Sequence, residues 1–133
     1  MWELQPLEKY AKRYGKWPKK HNRELQAMQH NLHIFLEALQ SGQKPAAVKF
    51  GFIHPEPGGV LAIDQKGGGP HLKETRLYIY PDEARERLVV ITIGDKDSQP
   101  QDIQTCNEFI QELRKEDIVP IISREKSHVQ QQP

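Results

Sequence analysis

The sequence predicts an α+β domain in which an N-terminal helical hairpin packs on a small antiparallel sheet and a further helix follows. Apolar residues recur at helical spacing in the first 40 residues, and short apolar runs between turn residues fill the middle. Helical spacing returns after residue 98. Helices followed by a run of strands favour helices layered on one face of an antiparallel sheet, so we expect the other face to be open.

The two N-terminal helices have clear sequence limits. The first is predicted over residues 7–14, and Gly15 and Pro18 end it. The second begins at Asn22 and ends at Gly42. One stripe of the second helix carries the apolar residues Leu25, Met28, Leu32, Phe35, Leu36 and Leu39. Few residues join the two helices, which predicts a hairpin.

The rest of the chain is predicted to hold strands and one more helix. The strands fall at residues 47–54, 60–65, 73–80 and 87–93. The last helix begins near Ser98, with Cys106 as a core residue of its apolar stripe. Residues 117–122 are interpreted as a short added strand or a covering segment. We expect one domain over residues 1–122 and disorder over the polar tail, residues 123–133.

The composition excludes several classes of protein. The 133 residues fit one domain, and no apolar run approaches the roughly 20 residues that cross a bilayer. Residues 1–5 lack the basic-then-apolar pattern of a secretory signal. A single cysteine allows no internal disulfide, which favours a cytoplasmic location. The six histidines lack metal-ligand spacing and the triple glycine at 67–69 lacks a nucleotide fingerprint, so no metal or cofactor is predicted.

The charge is unevenly distributed. The whole chain has a net charge of +1, but residues 1–23 hold seven basic and two acidic residues. The basic residues of this segment are Lys9, Lys12, Arg13, Lys16, Lys19, Lys20 and Arg23. Such a segment indicates a basic face for a polyanion or an acidic partner, and a solvated helix surface is the alternative interpretation.

Strand alternation predicts which side chains share the open face of the sheet. Arg76, Tyr78 and Tyr80 alternate with the apolar residues of their strand and therefore share one face with Glu74. Lys96 ends the next strand and is expected to lean over the same surface. Two cations close together on one sheet are suited to hold a phosphate, and ordinary cross-strand surface pairs are the alternative.

These residue types fit the cleavage of RNA by its own 2′-hydroxyl group. Fixed cations, here Arg76 and Lys96, stabilise the extra negative charge of the transition state. A titratable group must move a proton, which an unperturbed histidine can do near neutral pH, and His71 is the candidate general acid or base, with His54 as a second histidine. Tyr78 or Tyr80 is a candidate for stacking on a base. An exposed His71 without a role is the alternative.

The combined pattern resembles the RelE/ParE toxin superfamily. The resemblance rests on the strand at residues 75–80, an acidic turn, and the run at residues 88–96 that ends in Gly-Asp-Lys. The spacing from Lys96 to Ile103 is similar to the basic motif and final helix of HigB-like relatives. The resemblance covers about residues 7–116, and its specific part is the strand pair.

The resemblance implies a ribosome-dependent endoribonuclease that cuts messenger RNA and is neutralised by a cognate antitoxin protein. Arg76 matches the catalytic strand arginine of the family, and Lys96 matches a later catalytic arginine. Lys66 and Lys73 are the nearest substitutes for two family lysines, and Tyr78 or Tyr80 for a family tyrosine. The basic N-terminal helices, with Lys12, Arg13, Lys16, Lys19 and Lys20, are expected to engage ribosomal RNA.

Two non-enzymatic functions remain open at this point. ParE-like relatives share the fold and inhibit gyrase by binding it. An RNA-binding or protein-binding domain that kept the scaffold and lost the catalytic set is the other alternative. The sequence gives no indication of oligomeric state.

Overall fold

The computed structural model describes the backbone of residues 1–131 and the side chains of residues 1–116. It confirms the α+β class, with three helices and a five-stranded mixed sheet. The strands are β1 (Glu3–Pro6), β2 (Ile53–Pro55), β3 (Leu61–Ile63), β4 (Thr75–Asp82) and β5 (Arg87–Asp95). The helices are α1 (Glu8–Gly15), α2 (Asn22–Gln40) and α3 (Gln99–Gln131).

The end of α3 includes residues 117–122, for which the sequence left an added strand or a covering segment open. Residues 117–122 belong to this helix and do not form an added strand. The predicted disorder of residues 123–133 falls outside the residues whose side chains the structure describes, and it stays a prediction.

The sheet has the strand order β1-β5-β4-β3-β2 and is mixed. Strands β2 to β5 pair in antiparallel fashion, but β1 pairs with β5 in parallel, with Leu4 opposite Leu88. The prediction of a purely antiparallel sheet is therefore wrong at this edge. Glu3–Pro6 was not predicted as a strand because it is short, polar and ends in proline, and its pairing depends on residues more than 80 positions away.

Helix α2 supplies the core on one face of the sheet. The predicted apolar stripe is confirmed, because Leu25, Met28, Leu32, Phe35 and Leu39 are all buried. They pack against a set of buried sheet residues that includes Ile63, Leu77, Ile79, Leu88, Val90 and Ile93. The strongest helical periodicity in the sequence thus forms the main hydrophobic core.

Helix α1 does not form a clear hairpin with α2, although the sequence predicted one. It lies against β5, whereas α2 lies against β3 and β4. The link between the helices includes a 3₁₀ turn at Lys19–His21, and the Trp17 indole N–H donates to the carbonyl of His21 at 2.9 Å. The short connection between the two helices therefore does not produce a clear hairpin.

The second face of the sheet is covered by α3. Cys106 and Ile110 of this helix pack on buried residues of the strands, among them Tyr78, Val89 and Ile91. The predicted open face is therefore wrong over its central part. Cys106 is a core residue as predicted, and burial raises the pKa of its thiol to about 12.

Strands β4 and β5 form the longest ladder of the sheet. Its register shifts by one residue between Tyr78 and Ile79, which pair with Thr92 and Val90 and leave Ile91 as the extra residue. The connecting turn is held by Asp82, which accepts hydrogen bonds from neighbouring arginine side chains. In the described part of the chain, no helix combines the length and the apolar character that a membrane crossing needs.

Candidate functional site

The β4–β5 ladder brings the predicted cationic residues to one end of the sheet. Arg76 lies directly opposite Gly94, and Lys96 follows two residues later in the turn before α3. The Arg76 side chain is 18% exposed and donates to Glu74 Oε1 at 3.0 Å and to the carbonyl of Thr75 at 3.3 Å. Lys96 is exposed and makes no ion pair with any residue in the described range 1–116. The two residues thus lie at the same end of the sheet, with Arg76 partly buried and Lys96 exposed.

The turn between β5 and α3 is organised by a carboxylate. Asp95 Oδ1 accepts the backbone N–H groups of Asp97 and Ser98 at 3.0 and 3.1 Å. Lys73 Nζ lies 3.1 Å from Asp95 Oδ2. Burial alone would raise the pKa of Asp95, but Lys73 and the backbone donors outweigh it and lower that pKa. Lys73 was predicted to bind RNA, and its ion pair with Asp95 means that an RNA phosphate would have to compete with a carboxylate.

A buried ion pair fixes α1 to the start of α3. Asp102 is fully buried and accepts hydrogen bonds from the Arg13 guanidinium and, at 2.7 Å, from the Ser98 hydroxyl. Arg13 also donates to the carbonyl of Ile93 at 2.8 Å. Burial raises the pKa of Asp102 although both donors act to lower it. Arg13, which was predicted to bind RNA, therefore has a structural partner in the folded chain.

Gly94 allows this ion pair to lie close to the sheet. A Cβ atom at position 94 would collide with the Asp102 carboxylate and the Ser98 hydroxyl. Glycine is therefore required at position 94, because α3 approaches β5 closely there.

A groove of about 310 Å³ opens between α1, the end of β5 and the start of α3. Its lining includes the basic residues Lys12 and Lys16, the aromatic residue Trp17 and the backbone of Gly94. Lys12 also lies 3.4 Å from Glu8 at the exposed surface of α1, whereas Lys16 makes no ion pair within residues 1–116. A cationic rim beside an indole ring is a suitable surface for a nucleotide, because phosphates bind cations and bases stack on aromatic rings.

The other predicted basic residues extend this surface. Lys19 and Lys20 lie in the exposed 3₁₀ turn that follows Trp17. Neither makes an ion pair with a residue of the described side-chain range. Four lysines of the predicted basic segment, Lys12, Lys16, Lys19 and Lys20, are therefore exposed, whereas its Arg13 is half-buried and paired with Asp102.

Of the two predicted stacking residues, Tyr78 is not available for a base, and the role of Tyr80 stays a prediction. Tyr78 is fully buried beneath α3, and its hydroxyl group has no hydrogen-bond partner among the described residues. Burial raises the pKa of this phenol far above its ordinary value. Tyr80 is partly buried and meets Phe109 of α3 edge to face at 5.8 Å. The burial of Tyr78 contradicts its predicted stacking role. Helix α3 covers this residue, and the sequence did not predict that α3 lies on this face.

His71 and Lys66 lie beside a second cavity of about 330 Å³, in the glycine-rich loop before β4. His71 is exposed and adopts a positive φ of 61°, a conformation that its flanking loop must hold. Lys66 Nζ donates to the carbonyl of Gly51 at 3.1 Å and remains exposed. No hydrogen bond joins His71 to any described carboxylate, so its predicted acid–base role gains no orienting partner.

Sequence reasoning missed a pairing between His54 on β2 and Asp64 after β3. His54 Nε2 lies 2.7 Å from Asp64 Oδ2, and Asp64 is 6% exposed. Both residue types were visible in the sequence, but ten positions separate them. Only the antiparallel β2–β3 pairing, in which His54 faces Ala62, brings them together.

Neither a metal site nor a family assignment follows from these contacts. In the described residues, no group of three or more histidine, cysteine, aspartate or glutamate side chains is arranged to hold a metal ion. No protein-family model, curated protein or solved structure matches this chain.

Proposed function

We propose that this protein is a RelE-like toxin that binds messenger RNA in the ribosome and cleaves it through attack of a 2′-hydroxyl group. The observation that supports the proposal most is the β4–β5 ladder, where Arg76 lies opposite Gly94 and Lys96 follows at the same end of the sheet. A guanidinium and an ammonium group beside a bound phosphate would stabilise the negative charge that builds on its oxygens in the transition state.

The neighbouring groove supports RNA as the substrate class. Lys16, Lys19 and Lys20 have no ion pair within the described side-chain range, so an RNA phosphate would not have to displace a carboxylate from them. Trp17 adds an aromatic surface that tolerates any base. The proposed binding mode is therefore electrostatic, little dependent on sequence, and weakened by salt.

Expression of the chain in growing cells tests the catalytic part of this proposal. We expect arrest of translation, with messages cut inside their coding regions when mapped by primer extension. Arg76→Ala should lower the cleavage rate about 100-fold, as expected for removal of one charge-stabilising donor. Arg114→Ala, an exposed arginine of α3, is the matched control and should cleave like the wild type. Equal cleavage by Arg76→Ala and the wild type would reject this site.

Intrinsic fluorescence tests the RNA-binding part separately. Trp2 is buried, so quenching by a single-stranded RNA oligonucleotide should report mainly on Trp17. Replacing Lys12 and Lys16 with glutamine should make the slope of log K against log salt concentration less steep by roughly 1.4. Each lost contact to a single-strand phosphate removes about 0.7 from that slope. Two results together would exclude the groove as the RNA surface: the RNA does not quench the wild-type fluorescence, and the double variant binds RNA as tightly as the wild type.

A non-catalytic binding domain is the second candidate, and two contacts favour it. Tyr78 is buried and Lys73 is paired with Asp95, so two residues of the predicted set are not free to act on RNA. For this candidate, the protein would bind ribosomes or RNA and leave messages intact. A gyrase-binding toxin would instead block DNA supercoiling in a purified assay, with messages uncut.

The proposal includes a cognate antitoxin and a cytoplasmic site of action, since ribosomes are the target. An adjacent small reading frame that restores growth when expressed together with this chain would identify the antitoxin. Restored growth should coincide with formation of a complex that is stable to gel filtration. A failure of every adjacent frame to restore growth would contradict this part of the proposal.

A further inference from the structure

The pair formed by His54 and Asp64 is held more firmly than an incidental surface contact. One oxygen of the Asp64 carboxylate accepts from His54 Nε2 and the other accepts the backbone N–H of Lys66, each at 2.7 Å. The backbone N–H of Asp64 donates to the carbonyl of Phe52 at 3.0 Å. The carboxylate is therefore fixed at both oxygens and through its backbone, and it in turn orients the imidazole ring.

This orientation leaves one ring nitrogen able to accept a proton. A carboxylate beside Nε2 favours the neutral tautomer that carries its proton on that nitrogen. Nδ1 then has a free lone pair, and no residue of the described range makes a hydrogen bond to it. The His54 side chain is 38% exposed, which leaves it accessible to a ligand.

The sheet places this pair beside Arg76. Ile63 pairs with Leu77, so the next residue of the chain, Asp64, comes alongside Arg76 on the neighbouring strand. His54 lies opposite Ala62, and alternation puts residues 62 and 64 on the face that carries Arg76. Neighbouring strands are about 4.8 Å apart, so β2, β3 and β4 bring these groups together within roughly 10 Å.

We infer that His54 is the general base of the proposed RNA cleavage and that Asp64 is its positioning residue. This inference rests on the proposed function. Nδ1 takes the proton of a ribose 2′-hydroxyl, and the 2′-oxygen forms a bond to the adjacent phosphorus. The bond from phosphorus to the 5′-oxygen breaks, that oxygen takes a proton from water, and the hydroxide so formed takes the proton from His54, which restores the neutral imidazole. The products are a 2′,3′-cyclic phosphate and a 5′-hydroxyl, with no change of oxidation state.

The surrounding charges fit these roles. Asp64 stabilises the imidazolium that forms when His54 takes the proton, as the carboxylate of a catalytic triad does for its histidine. The Arg76 guanidinium on β4 stabilises the negative charge on the phosphoryl oxygens. Its ion-pair partner, Glu74, is half exposed. Lys66 follows Asp64 in the chain and is exposed, so it supplies a further cation near the same end of the sheet. His71, the histidine favoured by the sequence, has no comparable carboxylate partner.

The test uses the full chain with translating ribosomes and a defined message. His54→Gln should lower the cleavage rate by about 100-fold or more while ribosome binding stays within twofold of the wild type. Asp64→Asn should lower the rate about tenfold. His33→Gln, an exposed histidine of α2, is the matched control and should have no effect. Thermal unfolding of each variant shows whether the fold is kept.

The pH dependence of the rate distinguishes a base from a merely structural residue. The wild-type rate should fall on the acidic side as the imidazole becomes protonated, and this fall should be absent from the residual activity of His54→Gln. If the wild type cleaves RNA and His54→Gln cleaves it within threefold of the wild-type rate, the assignment of the base is overturned and the proposed function stands. RNA binding without any cleavage by the wild type would reject the proposed function, and the base assignment with it.

Discussion

The two faces of the sheet differ in what they contain. The face under α2 has the larger apolar cluster, with Phe35 and Met28 fully buried, and the buried polar residues of α2, Glu24 and Asn31, bond to the backbone of neighbouring loops. The face under α3 has a smaller apolar centre and polar pairs around it. These are the Arg13–Asp102 ion pair, the His54–Asp64 pair and the Arg76–Glu74 pair.

Under the proposed function, this difference assigns most of the stability to one face of the sheet and the chemistry to the other. Apolar burial on the α2 face stabilises the fold without requiring directed contacts. Buried polar groups on the α3 face must be paired, and a group that is oriented by its partner is also a group that can act on a substrate. Changes on the two faces should therefore affect different measurements.

The largest expected effect comes from the α2 face. Phe35→Ala should lower the free energy of unfolding by about 4 kcal/mol, because it leaves a cavity in a fully buried position. Phe109→Ala on the α3 face removes a partly buried ring that meets Tyr80, and it should cost roughly 2 kcal/mol. Urea unfolding measures both values. An equal loss in the two variants would contradict the contrast between the faces.

A glycine pair tests the close approach of α3 to β5. Gly94→Ala should destabilise the protein by about 2 kcal/mol, because the new methyl group meets the Asp102 carboxylate and the Ser98 hydroxyl. Gly15→Ala at the end of α1 has open space around it and should be neutral or stabilising by less than about 1 kcal/mol. Thermal or urea unfolding compares the two, and a tolerated Gly94→Ala would show that α3 can shift away.

The buried phenol at position 78 gives a smaller effect of the opposite sign. Tyr78→Phe removes a hydroxyl group that has no partner among the described residues and keeps the ring that packs under α3. We expect a gain of about 1 kcal/mol in unfolding free energy and no change in RNA cleavage. Reduced cleavage with intact stability would restore a functional role for this hydroxyl group.

The smallest expected effect concerns acid stability. Burial alone would raise the pKa of Asp82, but Arg85 and Arg87 outweigh it and lower that pKa. A lowered folded-state pKa contributes stability that is present above about pH 4 and is lost as the pH falls through the folded-state pKa. Asp82→Asn should therefore lose less stability than the wild type between pH 7 and pH 3. Urea unfolding at both pH values checks this, and parallel losses would contradict it.

The sequence predicted those features of the fold that follow from a repeating pattern within one helix or strand. The stripe on α2 and the alternation of side chains along β4 were predicted correctly, because each follows from a single repeating pattern. The core position of Cys106 followed from the same reasoning about α3.

The remaining features depend on contacts between distant parts of the chain. Strand β1 has no apolar alternation, and its partner β5 lies more than 80 residues away. The position of α3 over Tyr78 could not be read from the strand, because alternation identifies the two faces but not what covers each of them. The Arg13–Asp102 and His54–Asp64 pairs likewise required the fold to bring their members together.

The parallel pairing of β1 with β5 has a consequence for biosynthesis. Because Glu3 lies beside Arg87, the first strand to leave the ribosome can be incorporated only after the fifth has been made. At a synthesis rate of roughly 5–20 residues per second, that interval lasts several seconds or longer. During that interval the unfinished sheet lacks its β1 edge, so the backbone groups of β5 that pair with β1 stay unpaired within the sheet.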